Sequence, residues 1–354
     1  MDAAAKEFFI KILETPSPSG FEVPVQNIVR EYAGKFADNV TTDLHGNVVA
    51  VVNPKADLRV MFAGHCDQIG LIVTYIDENG FIYTSPIGGW DPQQLIGQRM
   101  TVYTKDGPVP GVIARKAIHL LDENERKQVV QQKQLWIDIG AKTQAEAREV
   151  VAIGDPVTLK LGYQEMRNNL ANSPGMDDKT GLWVCMEGAR RAKERGKLNV
   201  AVHAVSTVQE EVGLRGAFTS TYGVHPEVGI AVDVTHATDC PTIEKFQEGD
   251  VKIGGGPVVY RGPNINPVVA DRLRAAGEKG EIPLQWCGTG RPTGTDANAM
   301  QLVRGGVATG LVSVPNRYMH SAVEVISLDD IDMCADLLAE FLLGIEPDAS
   351  FIPR

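Results

Sequence analysis

Apolar residues along this chain follow two periods, and the changes between them outline its organisation. Near the start, Phe8, Phe9, Ile12 and Leu13 fall on one helical stripe, which stops at Thr15-Pro16-Ser17-Pro18-Ser19-Gly20, where two prolines forbid continuation. A second helix is predicted over about 22–33. The β-branched and apolar runs at 47–52 and 58–63 read as buried strands, and the second leads straight into Gly64-His65. From 68 to about 162 the texture changes. Short apolar runs at 71–76, 81–84, 100–104 and 156–161, with turn signals at Asp77-Glu78-Asn79-Gly80 and Asp106-Gly107, predict a small β unit with one helix near 144–150. After Asn169 the α/β rhythm returns, with a helix over 179–195 and strands at 199–207, 228–234 and 308–314. The last helix takes Ser327 as N-cap, has Asp330 in the capping-box position, and turns Ile331, Cys334, Leu337, Leu338 and Phe341 inward. The expected organisation is an α/β domain in two parts, 1–67 and 163–354, interrupted by a β insertion at 68–162.

Composition narrows the setting. The 354 residues are 43% hydrophobic and 22% charged, an ordinary soluble composition, and the net charge is −11 with no basic cluster beyond Arg190-Arg191. This argues against nucleic acid or an anionic membrane as partner and favours a small or neutral substrate. Five scattered cysteines without a C-x-x-C indicate neither a disulfide framework nor a structural zinc site, so a reducing compartment, the cytoplasm, is expected. The charged, amphipathic first helix does not read as a signal peptide.

The chemistry lies in a scattered set of residues. His65 and the pairs around Glu210-Glu211 and Asp233 each fall at or just past the end of a predicted strand, and His320 follows one after a short loop; sites in open α/β sheets gather at these ends. If the chain stays extended through residues 64–67, His65 and Asp67 face the same side, and Asp67 can accept the second N–H of the imidazole. Taken singly, each piece has a plainer reading. His65 is equally a satisfied loop histidine, Glu210-Glu211 a solvated turn, and Asp177-Asp178 an acidic pair favoured at a helix N-terminus. Together they supply two imidazoles, a carboxylate able to bridge, two further carboxylates and a spare Glu, the parts of a two-metal hydrolase. His45, His119, His203, His225 and His236 receive no metal role.

The order His-x-Asp, Asp-Asp, Glu-Glu, Asp, His resembles the co-catalytic metallo-aminopeptidases of clan MH. The wording around it narrows the likeness: Ala63-Gly64-His65-Cys66-Asp67-Gln68-Ile69-Gly70, Met176-Asp177-Asp178-Lys179-Thr180-Gly181, Gln209-Glu210-Glu211-Val212-Gly213-Leu214-Arg215-Gly216-Ala217, Val232-Asp233-Val234-Thr235, Arg261-Gly262-Pro263-Asn264-Ile265 and Tyr318-Met319-His320-Ser321 are similar to the tetrahedral (TET) aminopeptidase family of glutamyl and deblocking enzymes. The likeness runs from about Glu7 to Leu342. It implies a discontinuous three-layer α/β catalytic domain with a mixed sheet, plus an inserted small β-barrel-like domain. It also implies two divalent metal ions per subunit, with His65 and Asp233 on one, Glu211 and His320 on the other, and Asp177 bridging. Glu210 would be the general base, Asp67 the orienter of His65, and Asp178 a neighbour that shapes the backbone at the bridge. Thr295 and Asp296 belong to a segment that resembles a loop near the substrate. Gln68 departs from the pattern, standing where relatives commonly have Glu.

The implied reaction is removal of the N-terminal residue from peptides with a free α-amine. Mixed N/O ligands suit Zn²⁺, Co²⁺ or Mn²⁺. The alternatives are a two-metal deacylase or carboxypeptidase acting on N-acyl amino acids, and a glycosidase; the latter needs a cleft lined by aromatics, whereas Phe, Trp and Tyr make up only 6% of the chain. The resemblance further implies homo-oligomers, dimers assembled into a dodecamer, with the insertion making contacts.

Overall fold

A computed structural model describes all 354 residues. Its main element is an eight-stranded sheet made of β1 (Asn39–Thr42), β2 (Val48–Val52), β3 (Arg59–His65), β4 (Ala201–Thr207), β5 (Val228–His236), β6 (Val258–Arg261), β7 (Gln285–Gly288) and β8 (Ala308–Asn316), in the spatial order β1-β2-β4-β3-β5-β8-β6-β7. The four central strands β4, β3, β5 and β8 run parallel, while β2 joins β4 and β6 joins β8 antiparallel, so the sheet is mixed.

Alternation along the strands explains the three layers. On β3, Val60 and Phe62 join one apolar cluster, with the helices Ala3–Glu14, Val23–Ala33, Met176–Arg195 and Leu328–Leu343, while Met61 and Ala63 join another on the opposite face, with Ala217, Val224, Ala297 and Met300. A period of two puts successive side chains on opposite faces, and both faces are covered, which is why these strands read as unbroken apolar runs.

The segment expected to be β-rich contains a closed six-stranded barrel, in the order Gly70–Ile76, Ile82–Ile87, Trp136–Asp138, Gly107–Ala114, Arg99–Thr104, Pro156–Leu159. It has an apolar core of its own, including Leu71, Ile82, Val102, Ile113 and Val157. The helix Gln144–Val150 lies where the pattern predicts one. A third, small sheet pairs Leu170–Asn172 with Val325–Ser327, bringing the start of the Met176–Arg195 helix beside the loop after β8. No helix is long and apolar enough to cross a membrane.

One local expectation changes. Ser327 caps the last helix as predicted, accepting the N–H groups of Asp329 and Asp330, but Asp330 does not complete a capping box. Its buried carboxylate accepts the N–H groups of Gly254 and Gly256, at 2.7 and 2.8 Å, and so pins a glycine-rich loop. The helix predicted over 179–195 instead holds: Asp177 and Asp178 have ψ angles of 109° and 38°, outside the helical range, and the chain becomes helical from Lys179.

Candidate functional site

The carboxyl ends of the parallel strands carry the site. His65 is the last residue of β3, Glu210 and Glu211 follow β4, Asp233 lies near the end of β5, and His320 is reached by a short loop from β8. Gln209 and His320 hold φ angles of 55° and 60°, a left-handed conformation uncommon away from glycine and concentrated at functional sites. Close packing brings the fifth element in. A Cβ on Gly64 would lie 2.5 Å from the Gly181 carbonyl carbon, so only glycine lets the helix bearing Asp177 approach β3 this closely.

His65, Asp177, Glu210, Glu211, Asp233 and His320 line one open cavity of about 540 Å³. One oxygen of Asp177 lies 3.2 Å from His65 Nε2 and its other oxygen lies 3.2 Å from His320 Nε2. Glu210 Oε2 is 3.7 Å from His65 Nε2, and Glu211 Oε2 is 3.6 Å from His320 Nε2. Two overlapping donor groups have the spacing of a cation site: His65 with Asp177 and Glu211, and His65 with Asp178 and Asp233. In the second, Asp178 is already engaged, one oxygen accepting the N–H of His65 at 3.2 Å and the other that of Gly181 at 2.9 Å.

Asp67 differs from the expectation. His65 Nδ1 faces the carbonyl oxygen of Asp67 at 3.0 Å, closer than the Asp67 carboxylate at 3.4 Å. That carboxylate is occupied elsewhere, accepting the Ser19 hydroxyl at 2.6 Å and the N–H groups of Glu210 and Glu211 at 3.0 and 3.2 Å. Asp67 therefore fixes the imidazole mainly through its main chain and fixes the glutamate pair through its side chain. The second imidazole is oriented from the barrel: His320 Nδ1 lies 2.8 Å from the Gly89 carbonyl oxygen.

Thr295 lines the cavity, whereas Asp296 is 2% exposed, with its carboxylate accepting the Thr207 hydroxyl at 2.6 Å. Asp296 is thus buried outside the cavity lining, its Oδ1 has no hydrogen-bond partner, and burial raises its pKa to about 6. Of the two residues expected near the substrate, Thr295 alone borders the cavity.

Carboxylates dominate the electrostatics. Burial pushes Glu210, Glu211 and Asp233 well above the usual carboxylate range, and neighbouring carboxylates push the same way. For Asp177, burial raises the pKa but His320 and His65 outweigh it and hold it below its ordinary value. His320 is raised to about 9, chiefly by its contact with Asp177. Burial opposes a charged His65, yet Glu210, Asp177 and Asp67 hold its pKa well above normal. Glu211 Oε1 is buried with no hydrogen-bond partner. An excess of carboxylates over imidazoles, an orphaned carboxylate oxygen and a mixed N/O donor set together fit divalent cations.

Sequence reasoning missed two carboxylates. Glu324 is buried, accepting the N–H of Asp177 at 3.1 Å and of His320 at 2.9 Å, and burial raises its pKa to about 8. Glu22 accepts the N–H of Gln209 at 3.2 Å, and burial raises it to about 7. Neither belongs to a motif, so no local signal marks them. At Gln68 the departure from the expected Glu is also resolved: its Oε1 accepts from the buried Lys179 ammonium at 2.6 Å, and burial pushes that lysine down to about 7.

A second cavity of about 510 Å³ shares Thr235 and His236 with the first; Glu244 and Glu248 line it and no Lys or Arg does.

The family profile described as M42 glutamyl aminopeptidase matches residues 46–337. The lysyl aminopeptidase of Pyrococcus furiosus is 37% identical over 346 residues, 96% of this chain and 97% of that one. The crystal structure of a TET aminopeptidase from a marine sediment archaeon of the Thaumarchaeota superposes with a TM-score of 0.93 at 34% identity, covering 97% of this chain and 96% of that one. The TET1 peptidase of Pyrococcus horikoshii, which can assemble into a tetrahedron or a large octahedral shell, superposes at 0.85 with 30% identity over 96% of this chain and all of that one. With the mixed sheet, the closed barrel and the clustered histidines and carboxylates, these matches establish that the chain belongs to the M42 glutamyl aminopeptidase family of peptidases.

Proposed function

We propose that this chain removes N-terminal residues from peptides at a two-metal centre, with His65, Asp177, Glu211, Asp233 and His320 as the metal-holding set. The observation that carries this is Asp177, whose two oxygens each sit 3.2 Å from a different histidine nitrogen, as a bridging ligand requires. Asp233 and His65 would hold one ion, Glu211 and His320 the other. When bound, such a pair supplies a water of lowered pKa and polarises the scissile carbonyl. Zn²⁺, Co²⁺ and Mn²⁺ all suit these donors.

Glu210 is the general base. It borders the same cavity as the proposed ligands and lies 3.7 Å from His65 Nε2, where its carboxylate can take a proton from the attacking water and pass it to the leaving amine. Burial and neighbouring carboxylates raise its pKa above the ordinary carboxylate range, which makes it a stronger base. Glu211, beside His320, is the ligand of the pair. Asp67 holds the two glutamates in register by their main-chain N–H groups.

The side chain of the first residue enters the neighbouring cavity past Thr235 and His236. With Glu244 and Glu248 on its wall and no Lys or Arg there, a lysine or arginine side chain fits it best. A cytoplasmic setting accords with five free cysteines, and assembly into a dodecamer is proposed by likeness to a Pyrococcus horikoshii relative solved as a dodecamer.

Metal analysis of purified protein, combined with a panel of aminoacyl-p-nitroanilides, tests the reading. The expected result is bound divalent metal, activity abolished by a chelator and restored by Zn²⁺, Co²⁺ or Mn²⁺, and preference for basic residues. Full activity in metal-free protein, or turnover of N-acetyl-leucine in place of leucine-p-nitroanilide, would overturn it.

A further inference from the structure

We infer that Glu324 is a positioning residue that fixes the two proposed metal ligands Asp177 and His320 relative to each other. The inference rests on the two-metal reading and extends it to a residue outside the motif set.

The geometry is that of a clamp. Glu324 Oε2 accepts the N–H of Asp177 at 3.1 Å, and Oε1 accepts the N–H of His320 at 2.9 Å. One carboxylate thereby joins two chain segments that meet nowhere else in sequence, and both of its oxygens are used. Its own position is set independently. The Glu324 carbonyl oxygen accepts the Ser173 N–H at 3.2 Å and the Asn172 side-chain amide at 2.9 Å, and the next residue, Val325, pairs with Asn172 in the small third sheet. The side chain is 2% exposed, so water does not compete for these contacts.

The held segments need such a clamp. Asp177 lies before the regular helix, with ψ at 109°, and His320 has φ at 60°, so neither takes its conformation from a helix or strand. Without an external acceptor the buried N–H of Asp177 and the half-buried N–H of His320 would both lose their partner. A carboxylate offers an acceptor at each of its two terminal atoms, as these two donors require, whereas a neutral amide would turn a donor NH₂ toward one of them. Partners that orient metal ligands typically contribute 10- to 100-fold in metal affinity when removed.

The test is a Co²⁺ titration of metal-free wild type and of Glu324→Gln, an isosteric change, followed by d–d absorption and by equilibrium dialysis. The expected result is that wild type takes up two ions, while in Glu324→Gln the weaker ion is loosened by about 10- to 100-fold, with an altered d–d band. Circular dichroism of the metal-free protein should stay near wild type, with the melting temperature lower by only a few degrees for the one N–H left without an acceptor. Two ions held with wild-type affinity and spectrum in Glu324→Gln would overturn the role of Glu324 and leave the two-metal reading standing. A wild type that binds no Co²⁺ would remove that reading and this inference with it. Should Glu324→Gln not fold, Glu324→Asp, which keeps the charge but draws it back by one methylene, is titrated instead; loosened binding supports the clamp and unchanged binding overturns it.

Discussion

His320 Nδ1 and the Gly89 carbonyl oxygen lie 2.8 Å apart although 231 residues separate them, so the inserted barrel supplies the contact that orients one of the two site imidazoles. Sequence alone places the insertion outside the chemistry and gives it a role in assembly. The structure adds a role in the site. Next to this contact, Gly88 has φ at 75°, and a Cβ there would come 2.6 Å from Ile69 Cγ2 and 3.2 Å from Glu211 Oε2. Gly88→Ala should displace the loop, lowering kcat by about tenfold or more while the melting temperature shifts by only a few degrees. Steady-state kinetics beside thermal melting would decide it; unchanged kcat would mean that the loop contact is incidental.

Glu210→Gln and Glu211→Gln should separate cleanly. The first is expected to keep its metal and lose about 10²-fold or more in kcat, the usual scale for a general base. The second is expected to lose metal. Metal content measured with turnover per bound metal pair checks this, and the opposite pattern would exchange their roles.

Gln68→Glu should stabilise the protein. The Lys179 ammonium is fully buried and meets only the Gln68 amide oxygen at 2.6 Å and the Thr15 carbonyl at 2.8 Å, so the cation has no carboxylate partner. Burial lowers the Lys179 pKa to about 7, so without a partner it gives up its proton near neutrality, and a glutamate at 68 supplies the carboxylate that holds it charged and paired. A rise of about 2 °C or more in melting temperature at pH 7 is expected. A fall would show that the proximity of Asp67 outweighs the gain.

His203, on β4, gives a pH dependence remote from the site. Burial, assisted by Arg59, lowers its pKa from 6.5 to about 4, and its Nδ1 has no partner. A base whose folded pKa is depressed contributes stability that is complete above its unfolded pKa and is lost as pH falls from about 6.5 through about 4. Replacing it by Gln should remove this contribution, so that urea unfolding of wild type loses on the order of 2 kcal/mol more than His203→Gln between pH 7 and 4.5. Parallel curves for the two proteins would refute it.

What the sequence discloses follows from how local each signal is. His65, Glu210, Glu211, Asp233 and His320 stand at or shortly after recognisable strand ends, and their convergence in one cavity follows from the parallel order of β4, β3, β5 and β8, whereas Asp177 joins them through the close approach of its helix at Gly64. Glu324 and Glu22 look like ordinary acidic residues, because what makes them matter is a partner far along the chain. The strand Gly107–Ala114 is hidden by Pro108 and Pro110. Its pairing with Arg99–Thr104 includes both prolines, whereas on its other side Trp136–Asp138 pairs only from Val112 onward, so the prolines occupy a stretch with one free edge. The capping-box reading of Asp330 fails for the same reason: its partners at Gly254 and Gly256 are distant in sequence.

Asp67, Asp178 and Glu324 all grip main-chain N–H groups at the site, not the side chains that converge on the cavity. The frame is therefore indifferent to which side chain stands at a gripped position. Exchanging Glu211 for Asp, or His320 for another donor, changes what is offered to the cavity without unseating the loop that offers it. Such a centre can drift between metals, or fall silent, by single codon changes while the shell around it persists, so lineages descended from this scaffold can part in chemistry long before they part in shape.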